Sequence, residues 1–264
     1  MPYINKKRGS IDNCNICTKK RKLSRDHVPP KSCFNTGSFE CNTMFPEVVD
    51  YTQKSQNGIK FRTICEQCNN ELLGQYDKAL KTFFDFICQI VTSTIKLPYR
   101  VTYSGEINKI TRSVIGHMLA MRPDFIESPI ENSLRQYFLN PGNKRPTDWN
   151  LHFAVYPYNS IQILRDSFCA EVIGKTTFPP DIISILKFFP MSFILSESTK
   201  FGNYQNLTNL CTDNINEVIQ IPINLYNCYD DAGHLYSKDW PLRGKNSLAL
   251  LNDETIRFSK KSSK

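Results

Sequence analysis

Apolar residues recur at three- and four-residue spacing from Leu72 onward: Leu72, Leu73, Tyr76, Leu80, Phe83, Phe84, Ile87 and Ile90. That period puts one broad apolar stripe on a helix, and Pro98 marks its latest end. A second helix is expected over Ile107–Met121, where Ile107, Ile110, Val114, Ile115 and Met118 share a face and Pro123 stops the run. Beyond it the period changes to two. Leu151, Phe153 and Val155 alternate with other residues, as do Phe168, Ala170 and Val172, which predicts half-buried strands. Ile185–Leu195 and Val218–Leu225 are further strand segments, interrupted by Pro190 and Pro222. Residues 35–63 are mixed and turn-rich, and read as an insertion that ends in a short strand, Ile59–Ile64. No internal repeat is present. The pattern divides the chain softly near residue 95, into a small module over 1–94 and a mixed α+β region over 95–264.

Composition adds that the chain can bury a substantial core, with 40% hydrophobic residues and 12% aromatics. No apolar run reaches the roughly 18 residues of a membrane span. The opening MPYINKKRGS carries charge with no apolar segment behind it, so no secretory leader is expected and the protein is placed in the cytoplasm. The net charge of +8 is concentrated at one end. Residues 1–31 hold nine Lys and Arg against Asp12 and Asp26. A clustered basic face is often only a solvated surface, but it also serves as an electrostatic footprint for a phosphate backbone. Lys22, Arg25 and Lys31 are the expected nucleic-acid contacts, because they flank the motif described next.

Ten cysteines would suggest disulfides in an oxidising compartment; in a reducing one, Cys-x-x-Cys pairs are better read as metal ligands. Two such pairs occur, Cys14/Cys17 and Cys65/Cys68, with 47 residues between them. Each pair supplies two thiolates at the separation a tetrahedral zinc ion requires, so the four complete a structural site. The long gap suits one pair on a hairpin-like knuckle and the other at a helix N-terminus.

Between the pairs lies Asp26-His27-Val28-Pro29-Pro30-Lys31, and Asn69-Asn70 follows the last cysteine directly. In this order and spacing the pieces resemble the HNH, or ββα-metal, endonuclease family, and within it the zinc-containing branch with four cysteine ligands. The likeness covers about 60–80 residues, an approximate span of the module whose zinc turns set its ends. It implies a zinc-stapled treble-clef ββα-metal module followed by a mixed α+β region, and a role for each matched residue. Asp26 and Asn69 would bind a catalytic Mg²⁺ or Mn²⁺, since a carboxylate and an amide oxygen are hard ligands. His27, the strand neighbour of Asp26, would deprotonate the attacking water, a task suited to an imidazole of pKa near 6.5. The products would be a 5′-phosphate and a 3′-hydroxyl, the substrate DNA (RNA being the alternative), and the setting restriction or phage defence. Two family features are absent. Where a middle asparagine would orient the histidine loop, the chain has Lys60-Phe61-Arg62-Thr63, with Asn57 the nearest candidate upstream. Ser32-Cys33-Phe34 stands where Gly-Gly is common.

Other residues are read as structural. Cys33 and Cys41 are expected to be small buried hydrophobes, His117 a core or boundary histidine, and His152 a strand-face residue. Asp230, Asp231 and His234 read as a polar turn. Asp77 would orient the first helix or pair with a base. Residues 95–264 carry no recognised motif and are assigned to recognition, regulation or a protein partner. From a different class comes the reading of a non-catalytic zinc-finger module that docks nucleic acid or protein; such a staple has no need of Asp26, His27 and Asn69.

Overall fold

The structure, a computed structural model, describes residues 8–43, 52–142, 147–173, 176–177, 181–202, 204–228, 247–250 and 256–260. Asp230, Asp231 and His234 lie outside them. The fold is mixed α+β. Near the N-terminus a three-stranded antiparallel sheet has the order β1-β2-β5, from Ile11–Asn13, Lys20–His27 and Lys60–Cys65. The chain leaves β5 through a wide π-helical turn, Cys68–Leu73, and continues without a break into α1, Gly74–Val91. The apolar stripe read from the sequence is the buried face of this helix: Tyr76, Leu80, Phe83, Phe84 and Ile87.

After β6 (Arg100–Gly105), α2 (Ile107–Ala120) follows the predicted span closely, but it is buried on all sides: only Lys109 escapes. A helix enclosed this way is central rather than peripheral. It packs on α1 and on α3 (Pro129–Leu139). Close approach depends on Gly116, where an added Cβ would stand 2.6 Å from both Leu73 Cδ1 and Phe138 Cε2. Helix α3 has no counterpart among the elements read from periodicity.

The rest is β structure. Strands β7 (Asn150–Val155), β8 (Ser160–Ile173), β10 (Asp181–Phe188) and β11 (Met191–Ser196) build the centre of a ten-stranded antiparallel sheet. The stretch Ile185–Leu195 is thus two strands of a hairpin, with Phe188 opposite Met191 and the turn at Phe189-Pro190. At one edge, β12 (Gln205–Asn206) pairs with β7; the short β9 (Thr176–Thr177) pairs with β8. β13 (Ile219–Asn224) pairs instead with β6 in a separate ribbon, with Pro222 opposite Thr102. On the other side of the large sheet lie three pieces from distant parts of the chain. β14 (Ser247–Leu250) and β15 (Ile256–Lys260) both pair with β8. β15 also pairs with β3 (Phe39–Thr43), which carries β4 (Thr52–Ser55). The insertion between His27 and β5 is therefore a hairpin added to the large sheet.

One contiguous core cluster takes in side chains from both sides of residue 95, from Cys14 and Ile64 to Val114, Phe153 and Leu225. Polar contacts cross the same line. Asn15, buried in the turn between β1 and β2, donates both amide hydrogens to α2's end, at Leu119 O (3.1 Å) and Arg122 O (2.8 Å), while Arg135 Nε of α3 donates to Asn15 O at 2.8 Å. Terminal helix carbonyls lack partners within the helix, so Asn15 acts as their cap. Arg122 continues the link, pairing with Glu131 of α3 at 2.6 Å and with Asp166 of β8. Among the described residues no helix is long and apolar enough to cross a membrane.

Candidate functional site

Cys14 and Cys17 sit in the tight turn that joins β1 to β2, closed by Cys14 N–H to Lys19 O at 3.0 Å and Thr18 N–H to Cys14 O at 2.9 Å. Cys65 ends β5 and Cys68 opens the π-helical turn. All four sulfurs lie within 4.8 Å of one another. The Cys17 to Cys65 separation of 3.8 Å equals the edge of a tetrahedron with zinc–sulfur bonds of about 2.3 Å, roughly 3.8 Å. Four thiolates so close repel one another unless a cation sits among them. Without one, the thiol of Cys68 hydrogen-bonds Cys14 and holds it down to about 5, while the same contact pushes Cys68 up. The Cys65 backbone N–H also points at Cys14 Sγ (3.2 Å), a contact that favours a thiolate. The cluster can hold a metal ion such as zinc.

Beside it opens a cleft of about 650 Å³ lined by Arg25, Asp26, His27, Lys31, Asn69 and Asp77, with Pro30, Ser32, Thr36 and Asn70 completing the wall. Strand β2 delivers Arg25, Asp26 and His27, and the π-helical turn delivers Asn69 and Asn70. Three residues predicted to act together, Asp26, His27 and Asn69, thus face one cavity, flanked by two of the three expected phosphate contacts. Lys22 is not among the lining residues; its ammonium pairs with Glu66 at 3.2 Å on the surface. Cys33 is fully buried.

The orientation of the Asn69 amide follows from its neighbour. Ser24 Oγ donates its single hydrogen to Ile64 O (3.0 Å), so it can only accept from Asn69 Nδ2 (3.1 Å). The amide oxygen is thereby turned away from Ser24 and left for the cleft. On the other side of β2, burial and the nearby Lys60 charge push His27 below its ordinary value, and a backbone hydrogen bond at Asn57 works the other way. Nε2 of His27 has no partner among the described residues, which leaves Nδ1 as the nitrogen tied to Asn57. That Nε2 is buried as well as unpartnered; an imidazole nitrogen that carries no hydrogen can accept a proton from a water that reaches it.

The loop after His27 is held by Asn35, which is fully buried. Its Nδ2 donates to Pro29 O (2.7 Å) and Ile59 O (3.0 Å), and its Oδ1 accepts from Ile59 N–H (2.7 Å). No asparagine stands at 60–63, and Asn35, within the loop itself, clamps the loop to Ile59, just before β5. No spacing rule predicts it. Gly58 completes the clamp: at φ +70°, a Cβ there would meet Asn35 O at 2.6 Å and His27 Cδ2 at 2.9 Å. Gly58→Ala is expected to cost about 2 kcal/mol, roughly 4–8 °C in Tm for a chain of this size. A thermal melt followed by circular dichroism checks this, and an unchanged Tm would mean the loop can give way.

His117 is a core histidine, as its sequence reading has it, with partners that the sequence did not name. It is fully buried and bridges two acids: Nε2 lies 3.0 Å from Asp77 Oδ1 and Nδ1 lies 3.4 Å from Asp26 Oδ2. The first is a hydrogen bond; the second has the distance of an ion pair and poor alignment for a hydrogen bond. Burial works against a charged ring, but Asp77 and Asp26 outweigh it and hold His117 up to about 10. Burial likewise pushes Asp26 up, with His117 pulling against it. One imidazole ring therefore bridges two acids, and Asp77 is further fixed by Ser113 Oγ at 2.6 Å. His152 is also buried and donates from Nε2 to Ser198 O at 2.9 Å.

Comparison with protein-family models, curated proteins and solved structures gave no significant match.

Proposed function

We propose that the protein is a metal-dependent endonuclease of the HNH type, in which a zinc-stapled treble-clef ββα-metal module hydrolyses DNA phosphodiester bonds. The observation that supports it most is the meeting of Asp26, His27 and Asn69 in one cleft between β2 and the π-helical turn, with Arg25 and Lys31 on its rim. The residues fit a hard divalent cation. Asp26 has one oxygen engaged by His117 and the other free, and Ser24 turns the Asn69 oxygen toward the same space. Mg²⁺ or Mn²⁺ bound there would act as a Lewis acid, offsetting charge on the phosphate and the departing 3′ oxygen. His27 takes a proton from water at Nε2, the water oxygen bonds to phosphorus, and the 3′ oxygen leaves and is protonated by solvent. Arg25 and Lys31 hold non-bridging phosphate oxygens. They are sequence-neutral contacts, so affinity should fall as salt rises.

Incubating supercoiled plasmid with the zinc-loaded protein and Mn²⁺ or Mg²⁺ tests this reading. Open-circular product bearing 5′-phosphate ends is expected with either metal and none in EDTA. A protein that retains zinc, binds the plasmid and never nicks it would instead be a docking module.

A further inference from the structure

The proposed chemistry makes no use of His117, yet the structure invests in it heavily. It reaches Asp77 on α1 at 3.0 Å and Asp26 on β2 at 3.4 Å, and Ser113, one turn earlier on α2, bonds Asp77 at 2.6 Å. Burying an imidazole between two acids carries a large desolvation penalty, so filling space does not explain the choice. A leucine or methionine would fill it more favourably, as Met118 and Leu119 do beside it. What the bridge achieves is to fix a carboxylate. Strand β2 holds the backbone of Asp26, and the buried side chain meets the His117 ring at ion-pair distance. With Oδ2 on His117, the other oxygen faces the cleft.

We propose that His117 is a positioning residue which, backed by Asp77 and Ser113, aims the free oxygen of Asp26 at the divalent-metal position shared with Asn69. The inference rests on the nuclease reading above. It makes His117 the counterpart of Ser24, which performs the same task for Asn69. It also assigns a role to the second part of the chain: α2 completes a site whose motif residues all lie before residue 70. Partners that orient metal ligands are worth about 10–100-fold in metal affinity or activity.

The test is Mn²⁺ binding by the zinc-loaded, full-length protein, measured by calorimetry beside plasmid nicking. His117→Gln and the milder Asp77→Asn are each expected to weaken Mn²⁺ binding about 10–100-fold. Nicking in both should recover toward the wild-type rate at saturating Mn²⁺, with zinc content unchanged. A purely structural role would lower stability without this separation of metal affinity from maximal rate. If His117→Gln does not fold, Asp77→Asn decides. Should the foldable variants bind Mn²⁺ as tightly as wild type while Asp26→Ala loses it, the positioning role is overturned and the nuclease stands. If wild type binds no Mn²⁺, or Asp26→Ala binds it equally well, the nuclease reading fails and the positioning role with it.

Discussion

Replacing Cys65 with serine is expected to dismantle the cleft, not merely to weaken it. Cys65 ends β5 and Cys68 opens the helix that carries Asn69, while Cys14 and Cys17 belong to the turn that leads into β2. The four sulfurs tie the strand bearing Asp26 and His27 to the turn bearing Asn69. Structural zinc in small modules contributes an apparent binding free energy of about 10–16 kcal/mol, and that energy is folding energy. A serine hydroxyl is a poor zinc ligand, and it leaves three thiolates crowded around an undercharged site. The expected result is a protein with well under one zinc per chain and a Tm at least 10 °C lower, a shift on the order of 3 kcal/mol or more for this size. Metal analysis and a thermal melt measure both. Wild-type zinc content together with a wild-type melt would show that the cluster is not a metal centre.

The second large effect belongs to His27. His27→Ala should slow plasmid nicking by about 10²–10⁴-fold, the usual range for loss of a general base, while zinc content and Mn²⁺ binding remain those of wild type. The geometry motivates this division. His27 lines the cleft, its Nδ1 is tied to the Asn57 backbone, and its Nε2 is buried with no partner among the described residues. Burial and Lys60 keep it neutral at neutral pH. The proposed metal position draws on Asp26 and Asn69 instead. A variant that nicked at the wild-type rate would remove His27 from the chemistry; one that lost Mn²⁺ binding would make it a ligand.

What the sequence discloses is chiefly what lies close together along the chain. The cysteine pairs are set by local spacing and α1 showed itself by its period, whereas the roles expected of Asp26, His27 and Asn69 came from the resemblance of the motif to the HNH family. Helix α3 was equally legible by a different signal. Ser128 caps it by accepting from Glu131 N–H, with Pro129 at the first position, and Ser-Pro-x-Glu marks such a start. Its apolar residues Ile130, Leu134, Tyr137 and Phe138 also recur at helical spacing, although Glu131 and Arg135 are buried in a network with Arg122. The large sheet was beyond reach for a physical reason. β15 lies between β8 and β3, so Ile256 faces both Ile163 and Thr43, and pairings so distant leave no local trace. His117 was hidden differently: on a helix buried all round, no face distinguishes it from its neighbours, and its two acids come from other elements.

The hairpin that joins the large sheet has a consequence for how firmly His27 is held. Thirty-two residues separate His27 from Lys60. Closing a free loop of that length costs little more than closing one half as long, about 0.6 kcal/mol. Leaving it unordered, however, would pass its motion to the ring at its root. Pairing of β3 with β15, together with the Asn35 bonds that join Pro29 to Ile59, divides the excursion into short closed segments. Conformational entropy, at about 1–2 kcal/mol per ordered residue, is therefore surrendered in the sheet during folding. In the proposed nuclease, the imidazole would meet its substrate with that freedom already removed.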